Sequence, residues 1–215
     1  MTEFSDVDLM LALQGGDEAA FTELVTRHMR TIVNLTYRYL GNAADAEDLA
    51  QDVFLKVYRA RDRYRPEAKF TTWVYRIAVN ACLNEVRNRK NRPTFRAAPL
   101  LGGADDNAPA ALVADDSAGT PVEGAANNEL REQVRAAVDE LPERQRMAII
   151  LNKFHGLGYE ELAAALDLTV QAVKSLLTRA RENVRTKIQP YLETGESVRD
   201  QAVAPRKGSV GRETA

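Results

Sequence analysis

Residues 93–127 of this 215-residue chain interrupt a sequence that is otherwise periodic. The segment is rich in Ala, Gly, Pro and Asp, and it lacks the recurring apolar positions of a packed helix or strand. We predict that it is a flexible acidic linker. Because the chain on either side is long enough for one small domain, the segment restricts the fold to two separate units. A disordered tail is predicted over residues 193–215, after Pro190.

The block before the linker, residues 1–92, has the pattern of four helices. A first short helix is followed by a long one, which Asp17 can cap and Gly41 can stop. Apolar side chains recur every three or four positions over residues 43–64 and 69–92, which predicts the third and fourth helices. Four helices with short connections indicate one all-α domain.

The block after the linker, residues 128–192, ends in the pattern of a helix-turn-helix. Asn128 can cap its first helix, and Pro142 can begin the second at the position where a missing N–H costs nothing. Thr169 suits the N-cap of the last helix, so the corner before it is tight. Since no stretch alternates as a strand does, the predicted fold is all-α: two small helical domains joined by a flexible acidic linker.

The composition excludes several classes of protein. Cys82 is the single cysteine and the two histidines are His28 and His155, so we expect neither a disulfide framework nor a zinc site. No apolar run reaches the roughly 18 residues that cross a bilayer, and the N-terminus lacks a signal-peptide pattern. We therefore expect a cytoplasmic protein with no metal, no cofactor and no membrane insertion. Cys82 is expected to be a small core residue.

Charge is distributed in blocks, although the net charge is only -2. Residues 59–96 carry 11 Lys and Arg against 3 Asp and Glu, whereas residues 1–58 carry 4 against 10. A basic block of this density suits a surface that faces phosphates, and an ordinary solvated helix face explains it equally well. Charge alone leaves both interpretations open.

The last helix has two chemically different faces. Val173, Leu177 and Ala180 lie on the stripe that faces other helices, and small polar and cationic side chains lie opposite. Such a face suits a recognition helix, since polar side chains reach base edges and cations reach phosphates. A solvated face of a helical hairpin is the alternative. The pattern favours duplex DNA, and the predicted contacts are Gln171, Lys174, Ser175, Thr178, Arg179 and Arg181.

The fourth helix also has two faces. One is apolar, and the other carries Trp73, Asn80, Asn84 and Arg87. An aromatic ring, amides and a cation suit single-stranded nucleic acid, because aromatic side chains stack on bases and amides read base edges. The alternative is that Trp73 packs into the core and the asparagines are merely exposed, and these residues alone favour it.

Three ordered stretches resemble the extracytoplasmic-function sigma factors of RNA polymerase, in the sigma-70 superfamily. They are DAEDLAQDVFLKVYR, FTTWVYRIAVNACLNEVRNRKNR and LPERQRMAIILNKFHGLGYEELAAALDLTVQAVKSLLTRAR. The resemblance covers residues 20–190. It implies an initiation factor rather than an enzyme, in which the first domain melts and reads the minus-ten element and the second reads the minus-thirty-five element.

The resemblance also implies roles by position. The first stretch is expected to dock on the clamp helices of the polymerase, and Leu141 to Leu151 on its flap. No histidine or basic partner lies near the carboxylates for acid–base chemistry, so we expect no catalytic residue. The clamp-docking residues are Asp45, Glu47, Asp48, Leu49, Gln51, Asp52 and Phe54. The loop Tyr64 to Thr72 is expected to hold a flipped base. The minus-ten contacts are Tyr64, Lys69, Phe70, Trp73, Asn80, Asn84 and Arg87.

The implied partners are core RNA polymerase and promoter DNA, both as duplex and as the non-template single strand. Family members are commonly held inactive by an anti-sigma protein, which is a further implied partner. Lys174 and Thr178 stand where some members have arginine and an aromatic residue, so the resemblance does not imply which minus-thirty-five bases are preferred. The alternative function is a free-standing helix-turn-helix regulator that binds duplex DNA without polymerase.

Overall fold

The computed structural model describes residues 4–67, 69–91 and 124–195. This part of the chain is helical and contains no strand, so the predicted all-α class is confirmed. Its elements are α1 (Asp6–Gln14), α2 (Glu18–Leu40), α3 (Ala43–Arg59), a 3-10 turn (Arg61–Arg63), α4 (Phe70–Asn91), α5 (Gly124–Asp139), α6 (Glu143–Phe154), α7 (Tyr159–Leu166) and α8 (Val170–Thr194). Most of the predicted linker, and the predicted tail from residue 196 onward, lie outside the described residues.

Local signals set several helix ends as predicted. The Asp17 carboxylate accepts a hydrogen bond from the Ala19 N–H at 2.9 Å and begins α2. Gly41 ends α2 with φ 77°, a left-handed conformation that costs a glycine little. Thr169 caps α8 by accepting from the Ala172 N–H at 3.2 Å. The corner between α7 and α8 is therefore a defined turn.

Three helix ends differ from the prediction. α3 ends at Arg59, because the chain then enters the 3-10 turn. α5 begins at Gly124, so Asn128 lies inside the helix instead of capping it; cap preference is a local effect that neighbouring helix formers can override. α8 continues through Pro190, which removes only one intrahelical hydrogen bond, and ends where Gly195 adopts φ 77°. The predicted tail is thus helical at its start.

The buried apolar side chains form a continuous cluster that includes residues of both blocks. α1, α3 and α4 pack around α2, while α6 and α7 pack on α8. The two blocks meet where α4 lies against α7 and α2 lies against α6. Cys82 is fully buried in this core, as predicted, and burial raises the pKa of its thiol to about 12. The two predicted DNA-binding blocks therefore lie against each other.

Candidate nucleic-acid interface

Helix α4 presents a row of polar side chains to solvent. Asn80, Asn84 and Arg87 are exposed, while Val79 and other apolar residues of the same helix are buried. Arg76 is also exposed and precedes Asn80 by four residues, so it extends the same row. Arg76 was not among the predicted contacts, although this spacing could have identified it. The α4 polar row is defined as Arg76, Asn80, Asn84 and Arg87.

The three aromatic side chains predicted to contact minus-ten DNA lie inside the first block. Tyr64, Phe70 and Trp73 are 1%, 1% and 7% exposed. The rings of Tyr64 and Trp73 are 5.4 Å apart, and the His28 ring lies 5.1 Å from Phe70. Burial raises the pKa of Tyr64. Trp73 thus packs into the core, together with the rings of Tyr64 and Phe70. A direct contact between the three aromatic side chains and DNA stays a prediction.

Helix α8 presents its predicted DNA face on the side away from the core. Val173, Leu177 and Ala180 are buried against neighbouring helices. Ser175 is partly buried, and the other predicted contacts are exposed, namely Gln171, Lys174, Thr178, Arg179 and Arg181. The Thr178 hydroxyl donates to the Lys174 carbonyl at 2.9 Å, so its proton is used within the helix. The Thr178 hydroxyl can therefore only accept a further hydrogen bond, whereas the exposed side chains of Gln171 and Arg179 keep their donors.

The solvent side of α3 is acidic and contains one large apolar residue. Four of the predicted clamp-docking residues are exposed, namely Glu47, Asp48, Gln51 and Asp52. Leu49 and Phe54 are buried, and Asp45 pairs with Arg89 at 3.0 Å. Leu55 is 50% exposed and lies four residues after Gln51, so it shares this side. Leu55 was missed by the prediction, although the helical spacing places it there.

Polar contacts join the two blocks. Lys69 Nζ lies 3.0 Å from Glu161 Oε1, although the Lys69 side chain is 76% exposed. Lys90 Nζ lies 2.6 Å from Glu143 Oε1. Lys69 also lines an interdomain cleft together with Lys174. One predicted contact from each of the two predicted DNA surfaces therefore lines the same cleft.

A buried charge, Arg146, lies at the contact between the blocks. It is 3% exposed, and its Nη2 donates to the Tyr39 carbonyl of α2 at 2.8 Å. The guanidinium also lies 4.4 Å from the centre of the Tyr39 ring. Arg146 belongs to the segment Leu141 to Leu151, which was predicted to contact the polymerase flap. Much of that segment is thus covered in this structure.

His155 lies at the same junction. Its Nδ1 is 3.1 Å from the Tyr75 hydroxyl of α4. Burial, and to a lesser extent the nearby Arg38 charge, lowers the pKa of His155 to about 4. Arg38 itself packs on the Phe154 ring at 3.9 Å. His155 is therefore neutral near pH 7 and becomes charged only in acid.

Two kinds of feature are absent from the part of the chain that the structure describes. Within residues 4–67, 69–91 and 124–195, no three His, Cys, Asp or Glu side chains are placed to share a metal ion. In the same residues no helix combines the length and the apolar character needed to span a bilayer.

Comparison with known proteins identifies the family. Sigma-70 region 2 matches residues 24–92, and Sigma-70, region 4 matches residues 131–184. The chain is 36% identical to the ECF RNA polymerase sigma-E factor of Escherichia coli over 190 residues, which cover 88% of this chain and 97% of that protein. It is 35% identical to the RNA polymerase sigma-H factor of Pseudomonas aeruginosa over 196 residues, or 89% and 98% of the two chains.

The solved structures agree with the sequence relatives. CnrH, in its complex with the cytosolic domain of CnrY, superimposes with a TM-score of 0.60 at 25% identity, over 86% of this chain and 97% of CnrH. The ordered match to two sigma-70 regions and the near full-length identity to sigma-E point to one family. This chain belongs to the extracytoplasmic-function sigma factors of the sigma-70 superfamily.

Proposed function

We propose that this chain is an initiation factor that binds core RNA polymerase, directs it to specific promoters and promotes DNA melting. The observation that supports this most directly is the presence of two polar surfaces, the α4 polar row and the α8 face, in blocks that match different sigma-70 regions. Residues 1–92 then form the minus-ten domain and residues 128–192 the minus-thirty-five domain. Such a factor acts by binding rather than by catalysis, and it works where the polymerase is, in the cytoplasm.

The minus-ten element is read after its bases unstack, which costs a few kcal/mol per base. The amides of Asn80 and Asn84 each carry a donor and an acceptor, so they can hydrogen-bond the exposed edges of non-template bases. Arg76 and Arg87, at the two ends of the row, hold the phosphates. The loop Tyr64 to Thr72 holds the flipped base above the buried aromatic rings. Because captured bases offset the cost of unstacking, melting requires no ATP hydrolysis.

The minus-thirty-five element is read as duplex by the start of α8. Gln171 and Arg179 reach base edges in the major groove, and Lys174 and Arg181 hold the flanking phosphates. The cap at Thr169 fixes the direction in which the helix leaves the corner. The polymerase is held by the acidic side of α3, to which Leu55 adds an apolar contact.

The two blocks must separate before both elements can be read. Lys69 and Lys174 line one cleft. The two elements are about 25 base pairs apart, which is roughly 85 Å of B-DNA at about 3.4 Å per base pair. Because one cleft cannot span that distance, we infer that opening accompanies polymerase binding. CnrH is bound to the cytosolic domain of CnrY in its structure, and we propose an analogous protein partner, an anti-sigma factor, for the closed state.

The function is tested by transcription with purified core polymerase. Templates are taken from upstream of the transcripts that appear when the chain is overproduced. We expect specific initiation only when the chain is added, and reduced initiation when Asn80 and Asn84 are both replaced by Ala. Transcription that does not depend on the chain would refute the proposal. Tight, specific binding of the duplex without polymerase would instead favour a free-standing regulator.

A further inference from the structure

Helix α1 holds the beginning of the loop Tyr64 to Thr72. Gln14, the last residue of α1, donates through Nε2 to the carbonyl oxygens of Arg61 at 2.7 Å and Tyr64 at 3.1 Å. A side-chain amide nitrogen has two hydrogens, so Gln14 can satisfy both carbonyls at once. The two contacts bracket the 3-10 turn that leads into the loop.

The end of the loop is held through a second path. Asp6, in the first turn of α1, has its Oδ2 2.8 Å from His28 Nε2 and its Oδ1 3.3 Å from Arg27 Nη1. The His28 ring packs at 5.1 Å on Phe70, the residue at which α4 begins. α1 is therefore connected to both ends of the same loop.

Helix α1 owes its order to the rest of the domain. A helix of 9 residues is too short to be stable alone in water. Its inner face is buried, with Leu9, Met10 and Leu13 at 6%, 0% and 1% exposure. The match to Sigma-70 region 2 begins only at residue 24, so it assigns no role to α1.

We propose that Gln14 is a positioning residue for recognition of the flipped minus-ten base. Its hydrogen bonds fix the backbone from Arg61 to Tyr64, which sets the position at which the loop begins. The role rests on the proposed function, in which this loop holds a base. Discrimination between bases is sharper when the polar groups that contact the base are held in place before binding. Loss of the Gln14 contacts therefore lowers base discrimination, while polymerase binding through α3 is unaffected.

The test uses the full-length chain assembled with core polymerase. The probes are non-template-strand oligonucleotides that carry each of the four bases at each position of the minus-ten element found upstream of the induced transcripts. Gln14→Met keeps the length of the side chain and removes both donors. Ser5→Ala is the matched control, because Ser5 caps the other end of α1 and does not contact the loop. Affinity for core polymerase, measured on the same samples, shows whether each variant is folded.

At the flipped position, we expect Gln14→Met to reduce the ratio of the affinity for the preferred base to the affinity for the other bases by about fivefold to tenfold. The ratios at the other positions should not change. Ser5→Ala should keep the wild-type ratio. An unchanged ratio in Gln14→Met, an equal loss in Ser5→Ala, or an equal loss at every position would each overturn the proposal. If the proposed function itself is wrong, the result is different: the wild-type chain shows no base preference and no polymerase-dependent transcription. The proposed role of Gln14 would then also be wrong.

Discussion

Replacement of Arg146 by Met tests how strongly the two blocks are joined. The guanidinium is buried, donates to the Tyr39 carbonyl at 2.8 Å and lies 4.4 Å from the Tyr39 ring. A hydrogen bond from a charged group contributes about 1.5 to 3 kcal/mol, and a desolvated cation–π contact up to about 2 kcal/mol. Met fills much of the same volume but has no donor, so the carbonyl loses this partner. We expect the free energy of unfolding to fall by about 3 kcal/mol.

Urea unfolding followed by circular dichroism measures the loss. Arg144→Met is the matched control, because Arg144 lies two residues earlier on α6 and is exposed, and it should change stability by no more than about 0.5 kcal/mol. Energy transfer between dyes placed on the two blocks should also report a greater separation for Arg146→Met than for wild type. A cost below about 1 kcal/mol, or a cost equal to that of Arg144→Met, would refute the view that this guanidinium joins the blocks.

Three further predictions concern pH and DNA. The pKa of His155 is about 4 in the folded chain and near 6.5 in the unfolded chain, so the unfolded state binds the proton first as pH falls. The free energy of unfolding should therefore decrease by up to about 3 kcal/mol between pH 6.5 and pH 4. Urea titrations across this pH range should show that His155→Gln removes this part of the dependence. Asn80→Ala should impair open-complex formation more than polymerase binding, and normal melting in permanganate footprints would contradict that role. Arg179→Ala should weaken promoter use by about 1 to 3 kcal/mol, by different amounts on promoters with different minus-thirty-five sequences. Arg185→Ala, further along α8, is the control and should weaken all promoters equally. An equal loss on all promoters for Arg179→Ala would identify Arg179 as a phosphate contact instead.

The helix ends that could be predicted depend on groups close together in the chain. The cap at Asp17 acts over two residues, the stop at Gly41 needs only its own backbone freedom, and the cap at Thr169 acts over three residues. The exposed row on α4 and the DNA face of α8 follow in the same way from helical spacing. Asn128 was misjudged because a cap preference is a weak local signal that the surrounding helix overrides. Pro190 is a strong helix breaker, yet α8 continues past it to Thr194 and gives up one hydrogen bond there.

The sequence by itself determined the helices, their order, the two polar surfaces and the family to which they belong. Only the tertiary structure decided which side chains far apart in the chain contact one another. Trp73 is buried by neighbouring aromatic rings, Arg146 reaches a carbonyl 107 residues earlier, and Gln14 holds carbonyls 47 and 50 residues later. Such contacts depend on how helices pack, since a side chain's own neighbours in sequence carry no information about a partner so far along the chain.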